Sequence, residues 1–328
     1  MYQLFDKFQN LNILIIGDVM IDAYLWGKVD RISPEAPVPI VSVVKRESRM
    51  GGAANVALNV KQLGIQTFIC GVIGNDTEGE LFLNLLEQQN VSDEGIVKTA
   101  NRTTTTKTRV IGHHQQMLRI DAENTDLLDA IDRRKIFDKI SWIIEEQQID
   151  AIIFQDYDKG VISEELIEQT VTLARQKNII TIVDPKKNNF LSYKNVTLFK
   201  PNLKELREGL KMDIDANNLD DLRKATNRLR DLIQAEIIMI TLSELGVYVS
   251  TLDGDKLIPA HIRNIADVSG AGDTVVSVVA ACLAAGANPY FAAEIGNLAG
   301  GLVCEKIGVV PIEKMQLLAE AQHYHIGE

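Results

Sequence analysis

A chain of 328 residues, 46% hydrophobic and 24% charged, is long and apolar enough for one large α/β domain or two smaller ones. Its net charge of −11 argues against a general binder of nucleic acid or anionic membrane, while leaving room for a local basic pocket that holds a phosphorylated ligand. Cys70, Cys282 and Cys304 lie in apolar surroundings without metal-ligand spacing and read as reduced core residues of a cytosolic protein, and no N-terminal stretch has the apolar length of a signal peptide or membrane span.

The first element is a continuously apolar strand over residues 11–16 ending in Gly17-Asp18, the pattern of a strand covered on both faces in a parallel sheet. Residues 19–26, with Asp22, lead into a span holding Pro34, Pro37 and Pro39, which rules out a helix and favours extended backbone. Residues 38–44 read as an exposed strand, and the threonine-rich segment 103–120 has the same β-forming character. Insertions near 19–50 and 97–123 are therefore expected to form one small sheet, a lid on a single domain spanning 1–328, with His113 and His114 as surface-loop residues. Between them, Gly51-Gly52 opens a helix over 53–63. There Asn55 either serves packing or offers an amide that can donate to and accept from the hydroxyls of a polyol.

A strand over 66–73, a turn in which Asp76 reads as a helix cap, and helices over 80–89 and 132–148 follow. The strand 151–154 ends in Gln155-Asp156-Tyr157-Asp158-Lys159-Gly160, and the strand 179–183, after a helix over 164–177, ends in Asp184-Pro185-Lys186. A short strand over 196–199 runs into Lys200-Pro201-Asn202-Leu203-Lys204-Glu205, and 235–241 into Leu242-Ser243-Glu244-Leu245-Gly246. Alternating strands and helices with polar clusters at the strand ends predict a doubly wound α/β fold, its mostly parallel sheet flanked by helices and its ligands at the C-terminal strand edge.

The most informative stretch is Asp267-Val268-Ser269-Gly270-Ala271-Gly272-Asp273-Thr274, directly before the small, apolar run of a buried helix. Backbone N–H groups at a helix start have no partner within the helix, and glycines let an anion approach them, so the loop is a phosphate cradle. No Gly-Lys-Ser/Thr string makes it a P-loop, and the third glycine of a dinucleotide fingerprint is missing where Val275 stands. Asp273 alone reads more readily as a helix cap than as a catalytic group. Its pairing with Asp267 around the glycines favours phosphoryl transfer with a carboxylate base.

Three ordered motifs then stand together: Gly51-Gly52-x-x-Asn55, Asn202-x-x-Glu205 and Asp267-x-x-Gly270-Ala271-Gly272-Asp273. Jointly they resemble the ribokinase-like (PfkB) carbohydrate kinases over nearly the whole chain. Gly17 to Asp22, Arg31 to Pro39, Asp156-Tyr157-x-Lys159-Gly160 and Asp184-Pro185-Lys186 are most similar to the D-glycero-β-D-manno-heptose-7-phosphate kinases of lipopolysaccharide heptose biosynthesis. Many of those carry a C-terminal nucleotidyltransferase domain, so a chain ending soon after Gly308 is expected to hold the kinase half. The sequence departs from the family at Val268-Ser269, where ribokinases have threonines, and at Ser243, where a glycine is usual.

The resemblance implies a ribokinase-like fold and ATP-dependent phosphorylation of a heptose 7-phosphate at its anomeric hydroxyl. Asp273 would be the general base and the amides of Gly270, Ala271 and Gly272 the anion hole. Asn202 and Glu205 would sit near Mg²⁺-ATP, Glu205 reaching the metal through water, although Asn-x-x-Glu is also a capping box. Thr241, Ser243 and Gly246 would line the nucleotide, and Asn297 would contact adenine or bridge two helices. Asp22, Gly52, Asn55 and Asp156 would bind sugar hydroxyls. Lys107, Arg109, Lys159 and Lys186 are the candidates for the substrate phosphate, with Arg31 as an outlying one, each against the alternative of a solvated surface charge. The resemblance also leaves open a monovalent cation, implies a homodimer formed through the lid and a cytoplasmic location, and gives no role to nucleic acid or membrane. Other kinases of the fold, and a non-catalytic sugar-phosphate sensor, are the competing readings.

Overall fold

The computed structural model describes residues 1–112, 115–261 and 263–327, so His113 and His114 lie outside the described residues. Its strands are β1 (Asn12–Gly17), β2 (Val19–Ile32), β3 (Pro39–Gly52), β4 (Gln66–Gly74), β5 (Ile96–Thr99), β6 (Thr106–Gly112), β7 (Gln115–Ala122), β8 (Ala151–Gln155), β9 (Ile180–Asp184), β10 (Leu198–Phe199), β11 (Ile237–Thr241), β12 (Val247–Ser250) and β13 (Asp255–Ile258). Its α-helices are α1 (Tyr2–Lys7), α2 (Ala53–Gln62), α3 (Thr77–Gln88), α4 (Ala130–Glu146), α5 (Glu164–Gln176), α6 (Leu203–Leu210), α7 (Leu219–Ile233), α8 (Ala271–Ala284), α9 (Pro289–Val303) and α10 (Lys314–His323).

Nine strands form one sheet in the order β13-β12-β11-β10-β9-β8-β1-β4-β5. Every pairing from β11 to β5 is parallel, and only the hairpin strands β12 and β13 run antiparallel to their neighbours. Helices α4 to α7 cover one face, whereas α1 to α3 and α8 to α10 cover the other. This is the doubly wound α/β architecture that the alternating pattern predicts. The edge strand Ile96–Thr99 pairs with β4, so the start of the second inserted segment belongs to the large sheet.

The second sheet has the order β3-β2-β6-β7. Strands β2 and β3 are joined by the proline-bearing turn and pair antiparallel along their length, while β6 lies parallel to β2. Gly52 ends β3 at φ +58°, where a Cβ would stand 2.4 Å from the Asp18 carbonyl oxygen. Only glycine can therefore turn the small sheet back against the large one and start α2.

Helix α8 is apolar around its whole circumference and buried from Asp273 through Cys282, so it is a core helix rather than an amphipathic one. Each of its buried valines contributes about 1.5–3 kcal/mol of burial free energy. Helix α9 comes close because it presents Gly296 and Gly300, where a Cβ would meet Val279 Cγ2 at 2.6 Å and Val275 Cγ2 at 2.7 Å. The N-terminus of α8 is thereby fixed against the C-terminal ends of β8, β9 and β10.

Candidate active site

Strand alternation decides which side chains at that edge meet α8. Ile153, Ile182 and Leu198 pack on the α8 side of the sheet, and Phe154, Val183 and Phe199 on the other. Two residues beyond the first set stand Gln155, Asp184 and Lys200. All three reach the first turn of α8: Lys200 Nζ pairs with Asp184 Oδ1 at 3.0 Å, and Gln155 Nε2 lies 3.4 Å from Asp184 Oδ2. Gly272 faces this pair, its Cβ direction 3.9 Å from Asp184 Oδ2 and 4.0 Å from Lys200 Nζ, and is itself exposed.

Asp273 is buried at 6% exposure, with three donors on its carboxylate. Asn55 Nδ2 donates to Oδ2 at 2.8 Å, while Gln155 Nε2 and the Tyr157 hydroxyl donate to Oδ1 at 3.1 and 2.8 Å. Burial pushes its pKa up to about 6, against the lowering effect of the hydrogen bonds from Asn55 and Tyr157; nearby Asp184 adds to the rise and Lys200 opposes it. A carboxylate poised there is ionised at neutral pH yet basic enough to take a proton. The arrangement at this edge is thus an exposed helix N-terminus, a buried carboxylate and a buried lysine.

A model of the pfkB family of carbohydrate kinases matches residues 10–315. The chain belongs to this family, and is a sugar kinase. The kinase is 40% identical over 315 residues to the bifunctional protein HldE of Magnetococcus marinus and 38% identical over 315 residues to HldE of Helicobacter pylori, alignments that cover 94% and 95% of the chain. It spans about two thirds of the length of these relatives, 64% and 67%. In fold it is similar to phosphofructokinase-2 of Escherichia coli in complex with fructose-6-phosphate, with TM-score 0.77, 18% identity and coverage of 97% of this chain and 99% of that one. Ribokinase of Arabidopsis thaliana complexed with ribose and ATP gives TM-score 0.71 and 16% identity, with 94% and 98% covered.

On the far side of Asp273 the small sheet supplies polar groups to the kinase. Asp22 on β2 is buried and ion-paired with Arg109 of β6, whose guanidinium lies 5.4 Å over the Tyr24 ring. Lys107 Nζ lies 5.8 Å from the centre of the Tyr157 ring, and Lys186 Nζ lies 5.4 Å from the same centre. Lys107 has no ion pair among the described residues, and burial together with neighbouring Lys159 lowers its pKa. Of the basic candidates, Arg109, Lys159 and Lys186 are each held by a carboxylate, of Asp22, Glu123 and Glu205 respectively. Lys186 is therefore shared between Glu205 and the Tyr157 ring that Lys107 also approaches. Arg31 is exposed at the far end of β2.

Asn202 and Glu205 form a reciprocal capping box at the start of α6, with Glu205 N donating to Asn202 Oδ1 at 2.8 Å and Asn202 N to Glu205 Oε2 at 2.9 Å. Asn202 bridges to Thr241 at the end of β11. Ser243 takes φ +54°, which accounts for the glycine usual at this position, and Gly246 closes the turn by accepting the Leu242 N–H at 2.8 Å.

Two expectations change. Asp156 follows Phe154 in the alternation and turns to the opposite face, where Tyr193 OH and Asn189 Nδ2 donate to its Oδ2 at 2.7 and 3.0 Å, so it anchors the loop and points away from Asp273 and α8. Asn297 donates to the Pro259 carbonyl at 2.8 Å, tying α9 to the strand-end segment after β13 instead of bridging two helices. Asp267 is also spent on the loop: its carboxylate accepts from Ser269 N and Gly308 N, both at 2.9 Å.

Sequence reasoning passed over four groups. Asp18 accepts the N–H groups of Tyr157, Lys159 and Val161 at 2.8, 3.1 and 3.2 Å, which fixes the loop carrying Tyr157. Gln155, Tyr157 and Lys200 are the others. The signal that finds Gln155 and Lys200 is parity along β8 and β10, since each continues the α8-facing set.

Proposed function

We propose that this kinase transfers the γ-phosphoryl group of ATP to the anomeric hydroxyl of D-glycero-β-D-manno-heptose 7-phosphate, giving the 1,7-bisphosphate used to build the ADP-heptose of lipopolysaccharide. The supporting observation for the chemistry is Asp273, a buried carboxylate in the first turn of α8 beside an exposed glycine cradle. Support for the heptose is the similarity to the HldE proteins over nearly the whole chain. Asp273 takes the hydroxyl proton as the acceptor oxygen attacks, and the amides of Gly270 and Gly272 hold the transferring oxygens, an effect worth on the order of 2.7–4 kcal/mol of barrier, whereas the Ala271 N–H, expected to join them, donates to the Val268 carbonyl at 3.3 Å. Lys200, buried in its pair with Asp184, offsets that carboxylate's charge behind the cradle.

Lys186 and Glu205 lie on the nucleotide side, with Asn202, Thr241, Ser243 and Gly246 beyond them. The donor set fits Mg²⁺ carried in on the triphosphate: Glu205 is already engaged by Lys186 and by the Asn202 N–H, so it would reach the ion through water. Bound there, the ion neutralises charge on the phosphates. Asp22, Asn55 and the turn at Gly52 line the sugar side, and Lys107 takes the distal phosphate. The small sheet closes over the sugar as a lid, excluding water.

The lid also joins two copies into a dimer. Strand β7 is exposed along its length, and Val44 and Ile120 stand 71% and 51% exposed, an open apolar surface of the kind a second copy covers. Three buried free cysteines suit the reducing cytoplasm, where ATP and sugar phosphates are found. Among the described residues no helix is long and apolar enough to cross a membrane. Assay of the purified protein against heptose 7-phosphate, fructose 6-phosphate, ribose and adenosine tests the assignment: the highest kcat/KM is expected for heptose 7-phosphate, and faster turnover of any other acceptor overturns it.

A further inference from the structure

An ionised carboxylate offers about four lone-pair sites. On Asp273 three are taken among the described residues, two on Oδ1 by Gln155 and Tyr157 and one on Oδ2 by Asn55. The open site is on Oδ2. Tyr157 is held unusually well for a loop residue. Its backbone N–H donates to buried Asp18, and the ammonium groups of Lys107 and Lys186 lie over its ring. Cations over an aromatic ring draw electron density from it and strengthen its hydroxyl as a donor. Burial and the facing Asp273 hold the phenol well above its usual pKa, so it remains a donor across the working range.

We propose that Tyr157 is a positioning residue for the base: with Gln155 it ties down Oδ1 of Asp273, turning Oδ2 to the acceptor hydroxyl and keeping the carboxylate ionised. This rests on the assignment of Asp273 as general base. The acceptor hydroxyl gives its proton to Oδ2, and its oxygen forms a bond to the γ-phosphorus. The bond from that phosphorus to the β–γ bridging oxygen breaks, its electron pair leaving with ADP, and Asp273 returns the proton to solvent after product departs. The charged groups facing Asp273 are Asp184 from β9, Lys200 after β10 and Lys186 after β9, with Asn55 and Gln155 as neutral donors. Of the groups around the carboxylate, Tyr157 is the hydroxyl donor whose deletion leaves every one of those charges in place.

The test is the pH profile of kcat/KM for wild type, Tyr157→Phe and Asp273→Asn with MgATP and whichever acceptor of the panel above turns over fastest. Ionisation of the acceptor's own phosphate is common to all three, so differences between profiles belong to the protein. In Tyr157→Phe the acid limb is expected to move up by about one pH unit, the size of one lost hydrogen bond to a carboxylate, with the plateau within about tenfold of wild type. An unmoved acid limb overturns the proposal, even if the plateau falls. Asp273→Asn separates the two claims: full activity there overturns the base assignment itself, whereas its loss with an unmoved Tyr157→Phe limb overturns only the role of Tyr157. Should Tyr157→Phe not fold, 3-fluorotyrosine placed at 157, a stronger donor, is expected to move the limb down, and an unmoved limb again overturns the proposal.

Discussion

The C-terminal edge of the large sheet and the small four-stranded sheet come together around Asp273 and Tyr157, yet they are built on opposite terms. At the large sheet nearly every polar group is buried and paired: Asp273 with three donors, Asp184 with Lys200, Asp18 with three backbone N–H groups. The small sheet pairs buried Asp22 with Arg109 and half-buried Glu47 with Arg49, is exposed along β7, and leaves Lys107 unneutralised by an ion pair among the described residues. A network in which each member fixes the next tolerates little change, and it is where a reaction geometry has to be held. An open sheet with an uncompensated cation is suited to choosing an acceptor. Substitutions at the first should therefore act on kcat, and substitutions at the second on KM for the sugar.

The largest effect is expected at Asp273. Asp273→Asn should lower kcat by about 10²–10⁴-fold with KM for ATP nearly unchanged, measured as ADP release at saturating acceptor. A loss appearing in KM instead would erase the distinction between the two regions. Next is Gly272→Ala. Its Cβ would meet only ordinary contacts at 3.9 and 4.0 Å, so the fold should melt as wild type does. A phosphate displaced by the methyl group should still cost about 10²-fold in kcat. Lys107→Met should raise KM for the phosphorylated acceptor on the order of 10- to 100-fold, leaving KM for ATP and turnover of unphosphorylated sugars in place. Equal losses for both sugar types would place the distal phosphate elsewhere.

A smaller effect falls on stability. Asp273 has its pKa raised from 3.8 to about 6 in the folded protein, so its ionised form is disfavoured there. The resulting penalty is absent below the unfolded pKa, grows as pH rises between the two values, and is complete above about 6. An amide at 273 turns an Nδ2 donor toward groups that themselves donate, so Asp273→Asn should melt below wild type at pH 4 and recover a few degrees of that gap as pH rises to 8; thermal melts of both proteins across that range check it. The smallest effect on chemistry is expected from Val44→Asp on the open sheet, which should convert a dimer to monomers in light scattering while kcat stays within a few-fold of wild type.

Much of this contrast was legible in the sequence, unevenly. Continuous apolar runs announced the parallel strands, while the three prolines, read as extended backbone, excluded a helix but did not announce the turn that Pro34 and Pro37 occupy between β2 and β3. The glycine loop with Asp273, and Asn55 after Gly51-Gly52, declared themselves because their residue types are odd for the local structure they occupy. Asp156 misled for a physical reason: composition marks the polar cluster after β8 but not its faces. Alternation carries Gln155 and Tyr157 toward α8 and Asp156 away, to Tyr193 and Asn189. Lys200 was equally hidden, since a lysine after a two-residue strand reads as a surface charge until its pairing with Asp184 shows it buried. The basic candidates were indistinguishable as letters. Only their carboxylate partners separate Arg109, Lys159 and Lys186 from Lys107.

The most direct measurement is ³¹P NMR of the purified kinase with MgATP and heptose 7-phosphate, run beside Asp273→Asn. A new anomeric-phosphate resonance growing in step with ADP in the wild type, and absent in the variant over the same time, is the predicted result. Transfer that proceeds unchanged without the Asp273 carboxylate, or no anomeric phosphate from the wild type while another acceptor is phosphorylated, would contradict the account.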